Sequence, residues 1–355
     1  MTWLNETMRR IEADYNRSAD THLIHHHVPG CDGIDLYFKD ESTHPSGSLK
    51  HRLARSLFLY GVCNGVINEG TTIIESSSGS TAISEAYFAR FLGLPFIAVV
   101  PKNTAKAKLD QIEFFGGKCH LVDPSDIYSD AKRLALELDG YYMDQFTNAE
   151  RATDWRSNNN IADSIFAQMS AEKYPVPTWV VVSAGTGGTS ATIGRYKRYY
   201  SRQFGATQLC VADPDNSVFY EYYHKGDESL TSPKGSRIEG IGRPRVEPSF
   251  IRTVVDHMEH VPDAASLAAI HFLEKEMGRK CGASTGTNFY ATLKLMCEMK
   301  SRGEKGSVVT MICDPGERYN ETYYNSDWLV AQGFDLQPHL EHIEQAYRTG
   351  QWGKG

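Results

Sequence analysis

The chain predicts an α/β fold made of two three-layer αβα domains with mostly parallel sheets. Three observations carry that expectation. Short β-rich apolar runs alternate with helical patterns along most of the sequence, and such alternation implies parallel sheets covered on both faces. At 355 residues the chain is long enough for two medium-sized cores. Hydrophobic residues at 41% and charged residues at 23% are ordinary for a globular protein.

Element by element, Ile34, Leu36 and Phe38 alternate with polar residues, which predicts a half-buried strand. A helix over 49–60 follows, then a strand over 72–75 and a helix over 82–92 that stops at Gly93. Strands are predicted over 96–100, 119–122 and 141–143, with helices over 106–115 and 127–138 between them. Gly116-Gly117 closes the first of these helices. The second half repeats the scheme, with a long helix over 155–169, a strand over 179–183 and a helix running to about 200. Further strands are predicted over 208–212, 253–257 and 308–313, with helices over 264–277 and 288–300. In such folds ligands sit in the loops that follow the strands.

The formal net charge is −7 with no dense Lys/Arg run, so no nucleic-acid partner is expected. The longest apolar stretches, such as 96–100, are too short to cross a bilayer. The opening MTWLNETMRRIEADYNRS lacks the apolar core of a secretory signal, and a cytoplasmic location is expected. Seven scattered cysteines without a paired spacing predict buried reduced thiols rather than a disulfide framework. His25, His26 and His27 are strand neighbours that point to alternate faces. No metal is expected.

Four loops between strands and helices carry the chemistry. In Ser46-Gly47-Ser48-Leu49-Lys50-His51-Arg52 a lysine stands at a helix start, where the dipole's positive end favours a neutral amine. A Schiff-base lysine needs that form, though a solvated surface lysine fits the same segment. Ser76-Ser77-Ser78-Gly79-Ser80-Thr81 offers hydroxyls and free N–H groups that suit a carboxylate, or an ample helix cap. Gly185-Thr186-Gly187-Gly188-Thr189 lets the backbone approach an anion and reads as a phosphate cradle. Ser190 stands where a dinucleotide fingerprint would have its third glycine. The fourth loop is Cys313-Asp314-Pro315-Gly316-Glu317-Arg318-Tyr319, which also fits an ordinary polar turn.

In this order the loops resemble the cysteine synthase and cystathionine β-synthase family of fold-type II pyridoxal-phosphate enzymes, from about Asp20 to Tyr319. Gly47, Ser48, Lys50 and Arg52 match its Gly-Ser-x-Lys-x-Arg segment, and the phosphate loop matches residue for residue at 185–189. Glu239-Gly240-Ile241-Gly242 resembles the family's loop lining the substrate site, and Asp144-Gln145-Phe146-Thr147-Asn148 its glutamine stretch. The SSSGST and IEGIGRPR runs look most like a branch of stand-alone bacterial L-cysteine desulfhydrases.

The resemblance implies pyridoxal 5′-phosphate as cofactor and a small amino acid as substrate. Lys50 is implied as catalytic Schiff-base lysine and general base. Ser80, Gly185, Thr186, Gly187, Gly188, Thr189 and Asp314 would bind the cofactor. Ser77, Ser78, Gly79, Thr81, Gln145 and Gly240 would bind the substrate. Three positions depart from the family: Ser80 replaces an asparagine, His51 an aspartate, and Asp314-Pro315 stands where a hydroxyl usually answers the pyridine nitrogen. The expected division is a smaller domain over 50–147, a larger one over 20–49 and 148–320, and terminal extensions over 1–19 and 321–355, in a homodimer. The implied reaction is β-elimination on L-cysteine giving sulfide, pyruvate and ammonia, with β-replacement of the cysteine synthase kind as the alternative. A dehydrogenase reading, with Asp213 on a ribose, explains one loop and leaves Lys50 without a role. A non-enzymatic binder of small ligands explains still less.

Overall fold

The computed structural model describes residues 2–17 and 20–353. It comprises two compact units, Met1–Asp20 with His44–Asp154, and Thr21–Thr43 with Trp155–Gly355. In chain order, helix α1 (Trp3–Arg17) precedes strands β1 (Leu23–His26) and β2 (Ile34–Asp40). The first unit continues with α2 (Lys50–Cys63), β3 (Ile73–Glu75), α3 (Ser80–Leu92), β4 (Phe96–Pro101) and α4 (Lys106–Phe114). It ends with β5 (Lys118–Val122), α5 (Ile127–Glu137), β6 (Tyr141–Tyr142) and α6 (Gln145–Ala152). The second unit resumes with α7 (Ile161–Met169), β7 (Trp179–Ser183), α8 (Gly188–Tyr199), α9 (Ser201–Phe204), β8 (Gln208–Pro214) and α10 (Phe219–Lys225). It closes with β9 (His257–Val261), α11 (Asp263–Met277), α12 (Ala283–Ser301), β10 (Gly306–Ile312), α13 (Ser326–Ala331) and α14 (Gln337–Thr349).

The first unit holds a four-stranded parallel sheet in the order β5-β4-β3-β6. The second holds six strands in the order β1-β2-β10-β7-β8-β9, all parallel except β1. Each sheet is covered by helices, and each unit buries its own apolar core. Ile73, Phe96, Ala98 and Phe88 lie in the first, and Phe38, Val181, Val308 and Phe289 in the second. The expected α/β class with mostly parallel sheets is what the chain forms. Among the described residues no helix is long and apolar enough to cross a membrane.

Several elements differ from the sequence reading. The helix expected over 155–169 begins only at Ile161, because Asn158 and Asn159 adopt φ of 67° and 49°. Asn160 then caps it, its side chain accepting from the N–H groups of Ala162 and Asp163. The strand expected over 253–257 lies at His257–Val261, preceded by a short 3₁₀ turn at Arg252–Val254. Strand β2 is buried on both faces rather than half-buried. Its Lys39 is fully buried, and its Nζ donates to the Thr21 carbonyl and to Gln168 Oε1. The Arg279 guanidinium pairs with buried Asp40 at 2.7 Å. All seven cysteines are free, but Cys63 is exposed and Cys119 only partly covered, unlike the five buried ones. His25 and His26 lean on Tyr37 and Phe38, neighbours on opposite faces of β2.

Candidate active site

Lys50 opens α2 directly, so it sits at the helix start rather than one turn in. The approach is shaped by Gly47 at φ 74°, a conformation that favours glycine. Ser48 Oγ accepts from the Lys50 N–H at 3.3 Å. His51, the departure from the family aspartate, is buried, bonds Ser46 Oγ through Nδ1 at 3.0 Å and stacks on His44 at 4.8 Å. Ser46 Oγ also meets Ser84 Oγ of α3 at 2.8 Å, which fixes the lysine segment against that helix. Arg52, buried, pairs with Asp20 at 2.7 Å.

The serine-rich loop leads from β3 into α3. Gly79 precedes the helix without a side-chain cap, and its N–H donates to Ser77 Oγ. The N–H groups of Ser77, Ser78, Thr81 and Ala82 meet no acceptor among the described residues. At the N-terminus of a 13-residue helix, such donors receive an anion well. Thr81 Oγ1 donates to Gln145 Oε1 at 2.7 Å, with both side chains buried. Gln145 Oε1 faces that hydroxyl, and among the described residues its Nε2 hydrogens have no partner. Ser77, Ser78, Gly79, Thr81 and Gln145 thus lie together. Ser80 is the first residue of α3.

In the second unit β7 ends at Ser183 and α8 begins at Gly188. Among the described residues, the N–H groups of Gly185, Thr186 and Gly187 between them have no acceptor, and neither do those of Thr189 and Ser190. Gly188 N–H reaches only Thr186 Oγ1 at 3.3 Å. Five unmatched donors in a largely buried turn are costly unless an anion meets them. The phosphate of pyridoxal phosphate is an anion that would answer these donors. Side chains are excluded from the turn by close backbone. A Cβ on Gly185 would lie 2.2 Å from the Gly240 carbonyl oxygen, and one on Gly187 would lie 2.5 Å from Phe250 Cα. Gly240 itself has φ 85°, and Gly242 N–H donates to the Ala184 carbonyl, which ties this segment beside the cradle.

Asp314 lies just past β10, almost wholly buried. Tyr319 OH donates to its Oδ2 at 2.6 Å, Arg318 Nη1 stands 3.7 Å away, and a Cβ on Gly282 would strike its Oδ1. Asp213, the residue a dehydrogenase would need, is fully buried and accepts from the Tyr220 N–H; burial pushes its carboxyl up to about 7. A ribose has no access to it.

Sequence reasoning missed two acids. Glu75, at the end of β3, accepts from Ser76 N–H and Oγ and from the Gln145 N–H. Glu85, one helical turn into α3, is fully buried beside it. A single charged residue inside the otherwise uncharged Ala82–Ala89 run is the signal that could have found the second.

Two units with parallel sheets, a lysine opening one helix and a glycine-rich turn opening another are the pattern of the fold-type II pyridoxal-phosphate enzymes. The family of pyridoxal-phosphate dependent enzymes matches residues 19–314, and the chain belongs to it. It is 56% identical over 356 residues to the L-cysteine desulfhydrase Cds1 of Mycobacterium tuberculosis (strain ATCC 25177 / H37Ra), covering 99% of this chain and 96% of that protein. A cysteine synthase of Aquifex aeolicus (strain VF5) is 30% identical, with 83% and 85% covered. The solved O-acetylserine dependent cystathionine beta-synthase of Helicobacter pylori superposes with a TM-score of 0.74 at 25% identity, over 88% of this chain and 97% of that one.

Proposed function

We propose that this protein eliminates hydrosulfide from L-cysteine to give sulfide, pyruvate and ammonia. The observation that carries the reading is the 56% identity, across nearly the full length of both chains, to an L-cysteine desulfhydrase. The site residues support it. Ser77, Ser78, Gly79 and Thr81, with the free amide N–H of Gln145, would hold the substrate carboxylate and orient its Cα–H bond. Gly185–Thr189 would hold the cofactor phosphate, Ser80 would lie by the ring hydroxyl, and Gly240 would line the substrate side. Lys50 Nζ would hold the cofactor and would serve as the base that takes the proton from Cα. The chemistry supplied by bound pyridoxal phosphate is storage of the electron pair left at that carbon. Asp314 would face the ring nitrogen, and an ionised carboxylate there favours its protonated form. Tyr319 OH would keep that carboxylate in place.

A homodimer in the cytoplasm completes the proposal, as the family resemblance implies. Purified protein given L-cysteine alone should release sulfide and pyruvate in near-equal amounts. The second reading, β-replacement, is favoured by the likeness to the O-acetylserine dependent synthase. It takes over if O-acetylserine plus sulfide yields cysteine much faster than cysteine alone yields pyruvate.

A further inference from the structure

Glu85 and Glu75 stand behind the serine-rich loop, and no residue of the proposed clamp explains them. Both are fully buried, and among the described residues neither makes an ion pair. Their donors are unequally shared. Glu75 receives three bonds: Ser76 N–H at 2.7 Å and Ser76 Oγ at 3.2 Å on Oε1, and Gln145 N–H at 3.1 Å on Oε2. Glu85 receives none on either oxygen. Its charged neighbour is the Glu75 carboxyl, another acceptor. Two acceptors meet favourably only with a proton between them, and a buried carboxylate without donor or cation is costly. The proton therefore belongs to Glu85, where it makes the carboxyl a donor available to Glu75.

We propose that Glu85 is a permanently protonated carboxylic acid that holds Glu75 in its ionised form, and that Glu75 thereby positions the substrate-carboxylate clamp. The chain of bonds is short. Glu75 fixes the Ser76 start of the loop and the Gln145 backbone, and the Gln145 side chain fixes Thr81. The inference rests on reading that loop and Gln145 as the clamp.

The surroundings give the arrangement a pH dependence. Burial is the main force raising Glu75, opposed by the Gln145 and Ser76 bonds and aided by the Asp144 charge, so its carboxyl is pushed up to about 7. Glu85 is pushed far higher by burial and then by the Glu75 charge. Tyr141 and Tyr142 of β6 also face the pair. Both are raised by burial, and both stay neutral in this range. Below about pH 7 Glu75 gains a proton and loses acceptor capacity, so the clamp loosens on the acid side.

The test uses the holoenzyme and the profile of KM and kcat for L-cysteine from about pH 6 to about pH 9, around the expected limb. KM should fall as pH rises through the Glu75 limb, with kcat little changed. Glu85→Leu removes the fourth donor to a charged group, so the limb should move up by about one pH unit or more. Glu85→Gln, whose amide N–H can donate in its place, should restore the parental limb. Infrared difference spectra of the parent against Glu85→Gln should lose the carbonyl stretch of a protonated carboxylic acid. A limb unmoved in Glu85→Leu, or the absence of that stretch in the parent, overturns the proposal. If Glu85→Leu does not fold, Glu75→Gln decides, because it must abolish the limb. Thr81→Val separates the two readings. If it leaves KM unchanged the clamp itself is wrong, whereas a raised KM without the infrared band condemns only the acid pair.

Discussion

Gly187→Ala puts the phosphate cradle under the most direct strain the structure allows. Gly187 has φ 92°, outside the range comfortable for residues with a Cβ. The conformational cost of alanine there is about 1–2 kcal/mol. The added carbon would also lie 2.5 Å from both Phe250 Cα and the Ser249 carbonyl oxygen, and 2.7 Å from the Phe250 nitrogen. All three are backbone atoms that cannot rotate away, and forcing such a contact costs a further ~1–3 kcal/mol. The total of about 2–5 kcal/mol, at roughly 2–4 °C per kcal/mol for a unit of about 200 residues, lowers the melting midpoint by on the order of 10 °C. The movement that relieves the clash shifts the five unmatched N–H groups, so cofactor affinity should fall at least about tenfold, near 1.4 kcal/mol. Melts of the apo and holo forms, with cofactor absorbance after gel filtration, measure both effects. Gly240→Ala is the control, since φ is again positive but nothing stands within 4 Å of the new carbon. If Gly187→Ala keeps the parental midpoint and cofactor content, the cradle reading is refuted.

Other expectations concern single side chains. Lys50→Ala should abolish turnover while leaving the fold intact, and borohydride reduction followed by peptide mapping should place the pyridoxyl group on Lys50 and on no other lysine. Asp213→Asn should flatten the pH dependence of the melting midpoint. Burial raises this carboxyl to about 7 from an ordinary 3.8, so its contribution is fully present below about 3.8 and lost as pH rises through about 7. That loss amounts to at most about 4 kcal/mol. A parent and variant with parallel profiles would contradict the assignment. Asp314→Ser should keep the fold and much of the elimination activity with an altered cofactor spectrum, and Asp314→Ala should lose more activity than stability. If both keep the parental spectrum and rate, the ring nitrogen has another partner.

What the sequence discloses here is local chemistry. A left-handed glycine at 93 stops α3 and the Gly185–Thr189 run turns into α8, as the residues themselves require. Asn158 and Asn159 break the expected long helix by adopting a conformation open to asparagine but not demanded by it. Nothing nearby in sequence discloses that Lys39 is buried against Thr21 and Gln168, or that Asp40 waits for Arg279. The same holds at the site. Lys50 and the glycine loop are legible because their neighbours define them, whereas Glu75 and Glu85 acquire meaning only when β3 and α3 meet.

The second unit is interrupted, and this bears on how the chain is made. Strand β2 pairs with β10 from Ile34↔Gly306 to Asp40↔Ile312, so its inner edge waits for a partner about 270 residues later. At ribosomal speeds of about 5–20 residues per second that wait is roughly 15–50 s. The His44–Asp154 segment, by contrast, can pair its four parallel strands as soon as it emerges. Meanwhile an apolar strand offers unpaired N–H and C=O groups to any passing edge. Slow synthesis or crowded expression therefore endangers this protein through nascent Ile34–Asp40, and a chaperone that shields that short stretch would raise its yield without touching the finished enzyme.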